Sequence, residues 1–167
     1  MLENEVPKLL TKKEFLDLEK KIKSWFVLSL KKNSSISGFE RDLDETPGES
    51  RWFIRLLGED KDIFTIRLML RQRMFHYETY VMPAPEDNSE IFYKSLLTRN
   101  RKLVGATFCV GEEEAIFLIG SIPSNTLDES ELDRIIGTLW AAVEQNFRSL
   151  LNIGFVKRIN SDKRENK

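Results

Sequence analysis

A single histidine, His76, and a single cysteine, Cys109, limit what this 167-residue chain could catalyse. A Ser-His-Asp or Cys-His nucleophilic arrangement would have to recruit His76, and no local motif brings a partner to it. His76 reads more simply as a strand residue near a sheet surface. Cys109, inside TFCV, reads as a small buried hydrophobe. One His and one Cys cannot complete a zinc site without several carboxylates. The run Glu112, Glu113, Glu114 suits a solvated turn, and Asp42, Asp44 and Glu45 lack the glycine and terminal glutamate of a calcium loop. Neither G-x-x-x-x-G-K-[ST] nor G-x-G-x-x-G occurs, so the usual phosphate cradles are missing. The expectation is a chain with no catalytic residue, no cofactor and no metal, and an enzyme built around His76 is the second alternative.

Binding chemistry is better represented. The stretch LRQRMFHYETYVMPAPEDN (70–88) places arginines, a methionine and aromatics close together. If Phe64, Ile66, Leu68 and Leu70 face a core, then Arg67, Met69 and Arg71 face away from it. Phe53 and Arg55 join them from the preceding strand, and His76, Glu78 and Tyr80 from the following one. Such a face fits a protein partner, because Arg, Met and aromatic residues are enriched in interfaces. It has some likeness to sheets that stack single-stranded RNA. Glu59, Asp60, Asp62 and Glu78 would repel phosphate, so nucleic acid is the first alternative and not the preferred partner. The candidate partner-binding set is Phe53, Arg55, Arg67, Met69, Arg71, Glu78 and Tyr80.

These residues need a sheet and helices to hold them. Thr11 and Glu14 form a capping box, with Leu10 and Phe15 as a staple, ahead of a helix over about 12–30. Residues 31–50 read as a polar connection. Period-two alternation then predicts an antiparallel meander over 52–57, 64–71 and 75–81, ended by Pro83 and Pro85. A second helix starts at Asp87 or Asn88, with Asp87 and Glu90 at capping-box spacing. Its narrow apolar stripe, Phe92 and Leu96, is the candidate dimer interface. Strands over 104–110 and 115–122 follow, the second apolar on both faces and so expected to be central and doubly covered. Thr126 and Glu129 cap a last helix whose stripe includes Leu132, Ile136, Trp140, Val143, Phe147 and Leu151, with Trp140 and Phe147 expected to be buried and Gly154 as its stop. The charged end of the chain reads as disordered. The expected organisation is an extension over 1–10, one domain over 11–156 and a tail over 157–167.

Composition agrees with this picture. Lys and Arg number 26 against 27 Asp and Glu, a net charge of -1 that exerts no general pull on nucleic acid or an anionic membrane. A lone cysteine, an acidic start and no long apolar run point to a cytoplasmic protein without membrane contact.

The segment VMPAPEDNSEIFYKSLLTRNRKLVGATFCVGEEEAIFLIGSIP, followed by LDESELDRIIGTLWAAVEQNF, resembles the YbjN-like family, especially its actinobacterial branch. The Met-Pro-x-Pro exit from the hairpin, the Leu-x-x-Arg-Asn helix end and the two strands after it carry the resemblance, over roughly residues 50 to 155. It implies an α+β fold similar to that of type III secretion chaperones, in the order α-β-β-β-α-β-β-α with about five antiparallel strands. It also implies a homodimer that binds another protein, chaperone-like or regulatory. The family has been described as regulators of sensory transduction.

Overall fold

The computed structural model describes residues 6–44 and 46–165. Helix α1, Lys12–Lys32, starts at the capping box: Thr11 Oγ1 accepts from Glu14 N, and Glu14 accepts from Thr11 N. Four strands follow: β1 (Ile36–Arg41), β2 (Glu49–Leu57), β3 (Ile63–Arg71) and β4 (Met74–Met82). After α2 (Ser89–Asn100) come β5 (Thr107–Val110), β6 (Ile116–Pro123), α3 (Glu129–Gly154) and α4 (Val156–Glu165). The strands form one antiparallel sheet in the order β1-β2-β3-β4-β6-β5.

The α+β architecture is the expected one, with six strands in place of about five. The additional strand, β1, lies inside the segment read as a polar connection. It is an edge strand, bulged between Ile36 and Gly38, and edges carry little of the apolar alternation that reveals a strand. Its inward side chains are Ile36, which is buried, and Phe39, which stacks on Phe26 of α1 with ring centroids 4.5 Å apart.

The helices bury one face of the sheet. Ile54 and Leu56, Phe64 to Leu70 at even positions, and Phe75, Tyr77, Thr79 and Val81 point into that layer. They meet Ile22 and Phe26 of α1, Phe92 of α2 and Ile135, Leu139 and Val143 of α3. Each such side chain contributes about 1.5–3 kcal/mol by leaving water.

The expectation for β6 is corrected. It is the penultimate strand, and Ile116 and Leu118 are buried while Phe117 is half-buried and Ile119 exposed. Its apolar outer residues therefore lie on the uncovered face.

Helix caps differ in two places. The N-cap of α3 is Asp128, which accepts from Glu131 N at 2.8 Å, while Thr126 closes a short turn onto Pro123 O. Asp87 does not cap α2, whose N-cap Asn88 is left-handed and makes no side-chain capping bond, its amide donating instead to Ile153 O at 3.0 Å. Asp87 instead accepts from Lys157 N at 3.1 Å and pairs with Lys157 Nζ at 3.2 Å, capping α4 from 70 residues away. The tail read as disordered is thus helical to Glu165, because a distant carboxylate satisfies its first turn.

Trp140 is half-buried rather than buried. Its indole N–H reaches Leu57 O at 2.9 Å. Phe147 is likewise packed at the rim of the core.

Candidate functional site: the open face of the sheet

Strand register builds this face row by row. Glu40, Phe53, Arg67, Glu78, Ile119 and Thr107 lie opposite one another across all six strands. Arg51, Met69, His76 and Ser121 form the next row. On the other side, Gly38, Arg55 and Thr65 align across the first three strands, and Tyr80, Phe117 and Cys109 across the last three. Phe53, Arg55, Arg67, Met69, Arg71, Glu78 and Tyr80 therefore share one face. Ile119 and Phe117 belong to it too, hidden from sequence reasoning by the apparent two-sided burial of their strand.

The arginines are mostly neutralised within the chain. Arg67 Nη1 donates to Glu78 Oε1 at 3.0 Å. Arg71 and Arg51 both donate to the Glu49 carboxylate, and Arg51 also lies 3.5 Å from Asp42. Burial pushes the Glu49 carboxyl up, but the hydrogen bonds from Arg51 and Arg71 outweigh it and hold it below the usual range. Such pairing leaves little free charge to release counterions from a nucleic acid.

Arg55 and Glu40 are exceptions, neither having an ion pair among the described residues. They flank a groove of about 280 Å³ with Gly38, Phe53 and Thr65 in it. A broader depression of about 690 Å³ lies at the other end, where Met69, His76, Glu78, Thr107, Ile119 and Ser121 contribute.

Lys61 sits at the rim, in the β2–β3 turn. Its ammonium donates to Tyr80 O and Val81 O, each at 2.8 Å, and lies over the rings of Tyr80 and Phe147. Burial pushes its pKa down to about 8. Sequence reasoning missed this residue.

The same turn is clasped by α3. Glu144 Oε2 accepts from Glu59 N and Asp60 N, and Arg148 pairs with Asp60. Oε1 of Glu144 has no hydrogen-bond donor among the described residues. It faces Gly58, where an added Cβ would stand 2.1 Å from it and 2.3 Å from Lys61 O. Only glycine lets the strand end approach this closely.

His76 and Cys109 do not meet. Their register partners on β6, Ser121 and Phe117, are four residues apart, about 13 Å along a strand. Burial, and then Arg71, push the His76 pKa down. Burial, and then Glu78, push the Cys109 thiol up, away from a reactive thiolate. No group of three or more metal-ligating side chains occurs among the described residues.

Phe92 and Leu96 are corrected as interface candidates. They are 0% and 4% exposed, enclosed by their own chain, with the Phe92 ring packed against Gly154 so closely that a Cβ there would stand 2.8 Å from it. A narrow apolar stripe on a short helix faces its own sheet here. The exposed apolar residues of α2 are Ile91 and Leu97.

The chain shares this architecture with solved structures. A chain of the ExsC–ExsE complex superposes with a TM-score of 0.57 at 16% identity, covering 80% of this chain and 96% of that one. A chain of the HopA1–SchA chaperone-effector complex gives 0.56 at 13%, covering 84% and 99%. The fold is type III secretion chaperone-like, and at these identities the likeness is one of fold.

Sequence relatives are mycobacterial. An uncharacterized protein of Mycobacterium leprae is 31% identical over 115 residues, which span 69% of this chain and 62% of the relative. Uncharacterized proteins of Mycobacterium bovis and Mycobacterium tuberculosis are 31% identical over 102 residues, 61% of this chain and 56% of theirs. The chain thus matches about three-fifths of the length of these relatives. No protein-family model matches it. No helix among the described residues is long and apolar enough to cross a membrane.

Proposed function

We propose that this chain is a non-enzymatic protein-binding module, chaperone-like or regulatory, of YbjN-like type. Its domain spans residues 11–156 and works in the cytoplasm. One observation carries the reading. A sheet of six strands is helix-covered on one side and presents Phe53, Tyr80, Phe117 and Ile119 on the other, around a nearly buried Met69, with Arg51, Arg67 and Arg71 already paired and Arg55 not. That mixture of aromatic and aliphatic surface with neutralised charge matches the composition of a protein interface. It does not match a phosphate-tracking surface, which needs uncompensated cations. The HopA1–SchA neighbour, a chaperone-effector complex, supports the reading by fold.

Photo-crosslinkers placed at Phe53, Met69 and Tyr80 in cells test it. The expected result is capture of a defined protein partner at all three positions. Capture of nothing but the chain itself would retire the partner and leave a homodimer face. The homodimer is part of the same proposal, with light scattering as its measurement. A monomer mass throughout a concentration series to high micromolar would remove it.

A further inference from the structure

Away from the sheet, α2 and α3 enclose a groove of about 670 Å³. Lys94, Arg99 and Lys102 line it from α2 and the turn after it, with Asn146 from α3 and Ile91 and Leu103 toward its ends. No acidic residue lines it among the described residues. None of the three cations has an ion pair among the described residues, in a chain that carries 27 acids against 26 bases. Where charges are this balanced, a cluster left uncompensated has an external counter-charge to meet.

Arg99 gives the cluster a fixed centre. Its Nη1 donates to Asn146 Oδ1 at 2.7 Å and its Nε to Ser95 Oγ at 3.0 Å. Asn146 is 7% exposed and is itself held, donating to Ala142 O at 2.7 Å. The guanidinium is thus oriented by a buried amide, with N–H groups left over and no carboxylate to take them. Burial pushes its pKa down, the mark of an uncompensated cation.

Shape selects the ligand class. Lys94 and Lys102 stand eight residues apart, about 12 Å along a helical path. A single phosphate would use one convergent cradle, and an elongated row suits a chain. Ile91 and Leu97 on α2 are 61% and 70% exposed, and Val104 beyond it is 83% exposed. The groove offers no aromatic ring among its lining residues on which a base could stack.

We propose that the α2–α3 groove docks an acidic, leucine-rich segment of a partner protein, its carboxylates on Lys94, Arg99 and Lys102 and its aliphatic side chains on Ile91 and Leu103. The proposal rests on the protein-binding reading but uses a surface separate from the open sheet face. It adds a second contact for the same class of partner.

The test is fluorescence anisotropy with a fluorescein-labelled peptide of Leu-Glu-Asp repeats on the full chain. Wild type should bind, with affinity falling as salt rises. The Gln/Asn version of the peptide should bind about tenfold more weakly or worse. Lys94→Glu with Lys102→Glu, both at exposed positions, should cost about tenfold or more by replacing attraction with repulsion. Arg55→Glu on the sheet face should leave peptide binding unchanged, and circular dichroism should report both variants folded. No binding by wild type at low salt overturns the proposal, as does binding lost in Arg55→Glu but kept in the double variant. Tighter groove binding of inorganic phosphate, single-stranded RNA or anionic vesicles overturns it in favour of that ligand. A concentration-dependent dimer that the double variant abolishes overturns it in favour of a second copy, whose Glu112–Glu114 turn has no ion pair of its own among the described residues. The sheet-face crosslinking is read independently, so failure of the groove and failure of the protein-binding reading are separable.

Discussion

The open sheet face and the α2–α3 groove are both rich in cations, yet they present opposite electrostatics. On the sheet, Arg51, Arg67 and Arg71 each find Glu49, Glu78 or Asp42 across a strand or beside it. In the groove, Lys94, Arg99 and Lys102 have no ion pair among the described residues. Sequence reasoning placed its binding face on the sheet arginines, and pairing within the chain reverses that ranking. Cross-strand neighbours are brought within about 5 Å by the ladder whatever their sequence separation.

Phenylalanines in the two regions should separate them most. Phe92 of α2 is 0% exposed, while Phe53 is half-buried on the open face. Phe92→Ala should lower the unfolding free energy by about 3–5 kcal/mol, the range for a buried aromatic. Phe53→Ala should cost about 1 kcal/mol, as a partly solvated side chain does. Urea denaturation measures both. Equal losses would mean that another element covers the sheet face in solution, and a negligible loss at Phe92 would return it to the interface candidates.

Lys61 sharpens what "uncompensated" means. It too has no ion pair among the described residues, but two carbonyls and two ring faces receive its ammonium. Its folded pKa, about 8, lies below the ordinary 10.5, so the folded state binds fewer protons than the unfolded chain between those values. Stability should therefore rise with pH from about 8 to 10.5, by on the order of 1 kcal/mol after allowing for solvent screening. Below pH 8 the contribution is constant. Lys61→Met should abolish that rise. A parallel pH dependence in wild type and variant would show that the amine is fully hydrated.

Much of this frame was legible, and each failure has a physical source. The α1 capping box and the alternation in β2, β3 and β4 involve neighbours within a few residues, so sequence spacing carries them. Edge strand β1 has Gly38 and polar residues where a central strand would alternate. Ile119 and Phe117 were apolar enough to look buried, yet their strand has helices on one side only. Asp87 has the right spacing for a local cap and was recruited by α4, a choice only the tertiary fold determines. The candidate face itself followed from period two alone. Its neutralisation depended on register, which fixes Arg67 opposite Glu78.

The next effect is the worth of that pair. Arg67 and Glu78 are partly exposed, so a double-mutant cycle with Arg67→Met and Glu78→Met should give a coupling of about 0.5–1 kcal/mol. A coupling indistinguishable from zero would return free arginine charge to the face and revive nucleic acid as its ligand.

The smallest effect has the opposite sign. At Lys94 and Lys102 no ion pair exists among the described residues, and removing either charge relieves repulsion from Arg99. Lys102, just past the end of α2, also meets the negative end of the helix dipole, which offsets part of the gain. Lys94→Gln with Lys102→Gln should therefore leave stability within about 0.5 kcal/mol of wild type, on the stabilising side at low salt. Near 1 M salt the Debye length falls to about 3 Å and the difference should vanish. Arg67→Gln under the same conditions should be destabilising at low salt, because it strands Glu78. Matching losses in the two variants would mean that the groove lysines have carboxylate partners in solution, and the contrast between the two regions would fall with them.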